Sequence, residues 1–158
     1  MTTRAWLDRL ELILIVGGIG IAGYLTYVKL FDLQPYCAGV GNCEAVQTSI
    51  YSEFLGLPVA IWGLLTYVAL LALYLVKRLD WKGFGALARQ GFFLVALVGV
   101  VFSIYLTYLE IFVIKAICPW CVASAVVMAV LFALSVVDLL RGSEATEVVT
   151  QKVTVRKN

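Results

Sequence analysis

"CPWCVASAVVMAVLFALSVVDLL", residues 118–140, is apolar almost throughout and carries a single charge, Asp138, near its far end. As a helix rising about 1.5 Å per residue it extends about 34 Å, enough to cross a hydrocarbon core about 30 Å thick. Working outward, three more runs of similar length and polarity stand at 12–30, 57–76 and 91–109. Of the 158 residues, 63% are hydrophobic and 14% charged, too apolar for one soluble domain and close to a polytopic membrane protein. The sequence therefore predicts an all-α integral membrane protein built as a bundle of four transmembrane helices. The first run is long and lacks an A-x-A-type cleavage site, so it reads as a mature helix rather than a secretion signal.

The charges predict an orientation. Lys77, Arg78, Lys82 and Arg89 crowd the connection between spans two and three against a lone Asp80, whereas the loop after span one holds Lys29, Asp32, Glu44 and Glu53. By the positive-inside rule the second connection is cytoplasmic. An even number of spans then puts both termini inside, with Arg4 and Arg9 at one end and Arg141, Lys152, Arg156 and Lys157 at the other. The remaining two connections face the outer, periplasmic side. Residues 1–141 form the membrane domain on this reading, and 142–158 a polar, mobile cytoplasmic tail without a recognisable motif. The net charge of +2 comes with no basic stripe, so nothing suggests a nucleic-acid partner.

Every cysteine falls in the two outward connections: Cys37 and Cys43 in the first, Cys118 and Cys121 at the second. An even count on an oxidising face suggests disulfides, and of three possible pairings two adjacent pairs is the simplest. Cys118 and Cys121 make a C-x-x-C, the dithiol spacing of thioredoxin-like proteins. A purely structural bridge suits them poorly, because a disulfide stabilises mainly by closing a long loop and this one closes almost none. A zinc site would need two closely spaced pairs, only one of which is present, and thiols outside a cell tend to oxidise before they meet metal. No metal is expected. Burial as small hydrophobes would not confine all four to the outward ends of the spans.

Helix termini supply a chemical reason for these positions. Pro119 is suited to the first helical position, which makes Cys118 the N-cap and puts Cys121 at the third position of span four. Both sulfurs then sit at the positive end of a helix dipole beside unpartnered amide hydrogens, which stabilise a thiolate. Lys115 is the nearest cation, as an added stabiliser or as an interface anchor. In the first loop Asn42 is a good N-cap for a short helix beginning at Cys43. Val46, Ile50, Phe54 and Leu57 would give that helix one apolar stripe, so a short amphipathic helix is expected to lie flat across the outer mouth of the bundle, as a lid or as an ordinary interfacial helix.

Taken together, the loop pair Cys37 and Cys43, Ser49 six residues after it, "GLPVAIWG" at 56–63 and "CPWC" opening the last span resemble the vitamin K epoxide reductase family of quinone-linked membrane thiol oxidoreductases. The match covers nearly the whole chain. DsbB-type quinone reductases also have four spans and two cysteine pairs, but with the C-x-x-C first; here the order is reversed. The resemblance implies a quinone of the ubiquinone or menaquinone type, held in the bundle against the C-x-x-C, and a loop pair that relays electrons to it. Cys37 would take electrons from a reduced partner, Cys43 would attack Cys118, and Cys121 would be left to react with the quinone, through successive mixed disulfides. Ser49, by its match, belongs to the quinone pocket.

Animal members are described as holding the quinone with an asparagine at the start of span two and a tyrosine just after the C-x-x-C. Pro58 and Val59, and residues 122–125, provide neither. This favours a bacterial or archaeal enzyme that reduces ordinary quinone while making disulfides over one that reduces vitamin K epoxide. Many bacterial members carry a fused thioredoxin-like domain, whereas about 18 residues follow span four here. The expected partner is therefore a separate thioredoxin-like or DsbA-like protein. Three rival readings stand: an enzyme that reduces a quinone epoxide such as vitamin K epoxide, a membrane protein whose cysteines are inert staples, and the same enzyme with its cysteines facing the cytosol.

Other residues carry weaker signals. Gly17, Gly18, Gly20 and Gly23 allow close helix approach in lipid. Trp62, one turn into span two, reads equally as quinone-pocket wall or interface anchor, while Tyr105 and Tyr108 read as anchors. Glu110 is an acid in an apolar run and hence a candidate for proton uptake, but counting along the helix from Arg89 places it about 31 Å on, at the outer boundary, which favours a surface role.

Overall fold

The structure, a computed structural model, describes the backbone of residues 2–37, 39, 41–79 and 83–157 and the side chains of 6–37, 39, 41–79 and 83–141. Four long helices dominate it: α1 (Thr2–Leu30), α3 (Val59–Leu79), α4 (Gly85–Tyr108) and α5 (Pro119–Lys157). Their membrane-length portions are Trp6–Leu30, Val59–Leu79, Gly85–Ile114 and Pro119–Arg141. Most of these extend past the predicted limits because the helices do not stop where the apolar run stops. Glu11, Lys77 and Asp138 continue them by pairing with one another instead of facing lipid. α5 continues to Lys157, so the backbone of the expected tail is helical, while its side chains from residue 142 onward lie outside the described residues.

The helices close into a ring, α1 on α3 and α5, and α4 on α3 and α5. Ile15, Tyr67, Leu70, Tyr74, Phe92, Ala96, Met128 and Leu131 fill the centre. Tyr67 is the main cross-tie: its ring lies against Gly18 of α1, where any Cβ would overlap it, and its hydroxyl donates to the Ser124 carbonyl of α5 at 2.9 Å. Of the four glycines in α1, close approach explains Gly18; Gly17, Gly20 and Gly23 have open space where a Cβ would be. Outward, Leu94, Val98, Val101 and Ile104 of α4 and Val126 and Val130 of α5 stay exposed. An apolar surface of this extent suits hydrocarbon and not water.

Between α1 and α3 the expected single amphipathic helix is broken into pieces. Asn42 caps α2 as predicted, accepting the Ala45 N–H at 3.1 Å, but α2 spans only Cys43–Gln47. A 3₁₀ turn (Ile50–Ser52) follows, then a two-residue hairpin, β1 (Glu53–Phe54) on β2 (Leu57–Pro58). The break turns Ile50 out to 84% exposure. Val46 and Phe54 still face inward onto the bundle. Lys29, at the end of α1, ties this cap down by donating to the Gln47 carbonyl at 2.7 Å and the Ser52 hydroxyl at 3.2 Å.

At the opposite end of the bundle lies a charged network. Lys77 bridges Glu11 at 2.8 Å and Asp138 at 3.2 Å, and Asp138 also meets Arg89 at 3.4 Å. Two of the four basic residues that predict orientation, Lys77 and Arg89, are thus partly neutralised inside the fold. Asp80 and Lys82 of that cluster lie outside the described residues.

Candidate active site

All four cysteines gather at the end of the bundle away from that network. Cys37 and Cys43 form a disulfide, with Cα atoms 6.2 Å apart, and Cys118 and Cys121 are free thiols. The adjacent-pair reading therefore holds for the loop pair. The two sulfurs of that bridge differ in access: Cys43 is 1% exposed, whereas Cys37 is only half-buried.

Three devices hold the loop against the start of α5. The Asn42 N–H donates to the Ile117 carbonyl at 3.0 Å, so residues adjacent to Cys43 and to Cys118 share one hydrogen bond. Gly41 makes this possible: it sits at φ +79, and a Cβ there would run into the Ile117 carbonyl and Pro119. Nearer Cys37, the Trp120 indole N–H donates to the Tyr36 carbonyl at 2.9 Å. The Tyr24 hydroxyl then accepts the Tyr36 N–H at 3.0 Å, and its ring packs on Trp120 with centroids 5.3 Å apart. Tyr24 and Trp120 were not singled out from the sequence. The tryptophan inside "CPWC" was the available signal, but its partner is remote in sequence.

Cys118 occupies the N-cap position expected of it: its carbonyl accepts the Val122 N–H at 3.0 Å and α5 begins at Pro119. It is fully buried. Its thiol is pulled below the ordinary cysteine range, first by the hydrogen bond from the Cys121 side chain, then by the backbone N–H groups of Cys121 and Trp120. These outweigh burial and the nearby Glu110 charge, which push the other way. The helix-terminus argument thus applies to Cys118, with Cys121 as its principal donor.

Cys121 faces inward, onto a cavity of about 310 Å³ enclosed by the four long helices and roofed by the α2–hairpin segment. Trp62, Phe54 and Phe102 supply aromatic walls, with Met128 and Val98 adding apolar surface. Trp62 lies on the cavity as one of its two readings allowed. Its indole N–H donates to the Phe54 carbonyl at 3.1 Å, and the two rings meet edge to face. Ser49 also borders the cavity, though its hydroxyl donates to the Val46 carbonyl at 2.8 Å. Tyr105 and Tyr108 are about half exposed on the outer surface of α4, as anchors would be.

Glu110 departs from its expected place at the boundary. After Tyr108 the chain widens into a π-helical segment, Leu109–Ile114, which ends at Lys115 with φ +55. The extra residue per turn rotates Glu110 inward, where it is 5% exposed and lines the cavity beside Cys121. Its carboxylate accepts the Cys118 N–H at 3.1 Å. Counting residues along an ideal α-helix could not anticipate this turn.

Two thiols thus stand at a helix start, one buried beneath a disulfide-bearing loop and the other open to an apolar cavity. A sequence model of the vitamin K epoxide reductase family matches residues 10–136, a stretch that includes all four cysteines and most of each of the four membrane-length portions. The chain therefore belongs to the vitamin K epoxide reductase family and is a membrane oxidoreductase.

Proposed function

We propose that this protein is a thiol:quinone oxidoreductase that supports disulfide formation, passing electrons from a separate thioredoxin-like or DsbA-like protein through Cys37 and Cys43 to Cys118 and Cys121, and on to a ubiquinone- or menaquinone-type acceptor. The observation that carries this reading is the division of roles between the two thiols of the C-x-x-C. Cys118 is sealed from the cavity and lies against the residues that hold the disulfide loop, while Cys121 opens onto the cavity. A quinone ring suits that space: its volume is at the small end of the range of about 300–1,000 Å³ usual for ligand pockets, and its walls are mostly apolar and aromatic. Trp62 and Ser49 border it and are assigned to the pocket on that ground.

When bound, the quinone serves as the two-electron, two-proton acceptor. The protein's own part is thiol exchange. A partner thiolate attacks Cys37, the more accessible sulfur, and releases Cys43 as a thiolate. The partner's second thiol resolves the mixed disulfide and frees Cys37; Cys43 attacks Cys118 of an oxidised C-x-x-C and releases Cys121; Cys37 then attacks Cys43, re-forming the loop disulfide and releasing Cys118. The stabilised thiolate at Cys118 makes it the better leaving group for the return exchange. The basic residues at the other end of the bundle support an orientation with the cysteines on the outer face and both termini in the cytoplasm.

The test is quinone absorbance during turnover of the purified protein with a reduced thioredoxin-like donor, comparing wild type with Cys121→Ala. Quinone should disappear with wild type and not with the variant. If quinone is untouched by any donor, in protein whose cysteines are shown to be redox-competent, the cysteines are structural. Labelling Cys37 with a membrane-impermeant maleimide after mild reduction in sealed cells tests the orientation: absence of labelling would invert it.

A further inference from the structure

Glu110 takes no part in the exchange described above, yet it is the most unusual side chain at the site. It is a carboxylate within a membrane-crossing segment, 5% exposed, and it forms none of the ion pairs found among the described side chains. Such a group is costly to retain without a function. The two other buried or half-buried acids among the described side chains, Glu11 and Asp138, have Lys77 or Arg89 as partners. Glu110 has instead the Cys118 N–H at 3.1 Å, and it shares the cavity wall with Cys121. It is held there by the π-helical segment, a local widening of the kind often found at functional sites.

The cavity has little other acid–base capacity. The protein contains no histidine, and Glu110 is the sole carboxylate among the described residues that line the cavity. Tyr67 is there too, but its hydroxyl is engaged with Ser124. Oxidising a dithiol to a disulfide releases two protons with the two electrons, and in an apolar cavity they need a carrier.

We propose that Glu110 is the proton acceptor for the Cys121 thiol: as the C-x-x-C is oxidised, the carboxylate takes the Cys121 proton and hands it to the acceptor in the cavity. This rests on the quinone reading above. Overall, the Cys118 and Cys121 S–H bonds break, one S–S bond forms, and two electrons leave with two protons. The quinone gains both and ends as the hydroquinone. Glu110 carries the protons one at a time and finishes, as it began, as a carboxylate. The competing role is structural, as the acceptor that caps the Cys118 N–H. Glu110→Gln separates the two, since an amide oxygen can still accept that N–H but cannot carry a proton.

Two readouts decide it. In single turnover, fully reduced enzyme is mixed with a short-chain quinone; Glu110→Gln should form the Cys118–Cys121 disulfide about 100-fold more slowly than wild type. Exchange between the loop pair and Cys118, followed by trapping without quinone, should be unchanged. Ferricyanide takes electrons but no protons, so infrared difference spectra of wild type, reduced against oxidised by ferricyanide, should show the proton left on Glu110 as a carboxyl band that shifts in heavy water and is absent from Glu110→Gln. The band needs no quinone. If Glu110→Gln matches the wild-type rate, or the wild-type spectrum contains no carboxyl change, the inference is overturned. If wild type forms its disulfide with ferricyanide but not with quinone, the functional reading fails, and the infrared band alone then supports or overturns the role of Glu110.

Discussion

Cys118 gains its reactivity from a neighbour three residues away more than from its own surroundings. Because the Cys121 side chain is the largest influence lowering the Cys118 pKa, Cys121→Ala removes a donor from the thiolate and should move that pKa up, toward an ordinary cysteine. Ultraviolet titration of thiolate absorbance in Cys37→Ser/Cys43→Ser protein, with and without Cys121→Ala, measures this. The sign is fixed: in the parent the Cys118 thiolate persists to lower pH, and in the variant it is lost earlier as pH falls. Trp120 works by position. Trp120→Phe keeps the ring against Tyr24 but deletes the donor to the Tyr36 carbonyl, a loss of about 1 kcal/mol that should appear as faster proteolysis of the Cys37 loop. Much of this scale was legible in advance. The N-cap role of Cys118 and that of Asn42 follow from local residue chemistry, whereas the clamp of Tyr24, Tyr36 and Trp120 joins residues 84 apart in sequence and leaves no local trace.

Among the elements, the cap over the cavity shows where periodicity misleads. Val46, Ile50 and Phe54 recur every four residues, yet no helix joins them, since the chain leaves α2 after Gln47 and spends its backbone hydrogen bonds in a 3₁₀ turn and a hairpin. The hairpin needs positive φ at Leu55 and Gly56, a demand that spacing of apolar residues does not reveal. The π-helical segment is the second departure, and it moves Glu110 from an expected boundary to the cavity wall. Gly41 is the element-scale position most open to test. Gly41→Ala adds a methyl where the Ile117 carbonyl stands, at a φ that alanine avoids, and so should pull the loop away from α5. We expect at least a tenfold slower exchange between the loop pair and Cys118, scored by trapped mixed disulfide, with reduction of quinone by pre-reduced Cys118 and Cys121 nearly unchanged.

Over the whole molecule, four spans and their order were evident from hydropathy alone, because lipid requires every crossing segment to satisfy its own backbone. What hydropathy could not show is the tie at the far end, where charges read from sequence as markers of topology also pair across helices. With side-chain exposures of 11% and 6%, Lys77 and Glu11 form a largely buried pair, and Lys77→Met strands Glu11 and leaves Asp138 only Arg89. That should cost about 3 kcal/mol, seen as a lower unfolding midpoint in mild detergent, without changing thiol chemistry at the other end. The unequal exposure of the two loop sulfurs has a further consequence, for leakage. Small free thiols, which must compete with the protein donor, meet Cys37 first and find Cys43 and Cys118 shut away. On the proposed function, a small-thiol adduct at Cys37 would be expelled by the buried Cys43 thiolate next to it, so stray reductants would be turned back at the surface before they could drain the quinone pool.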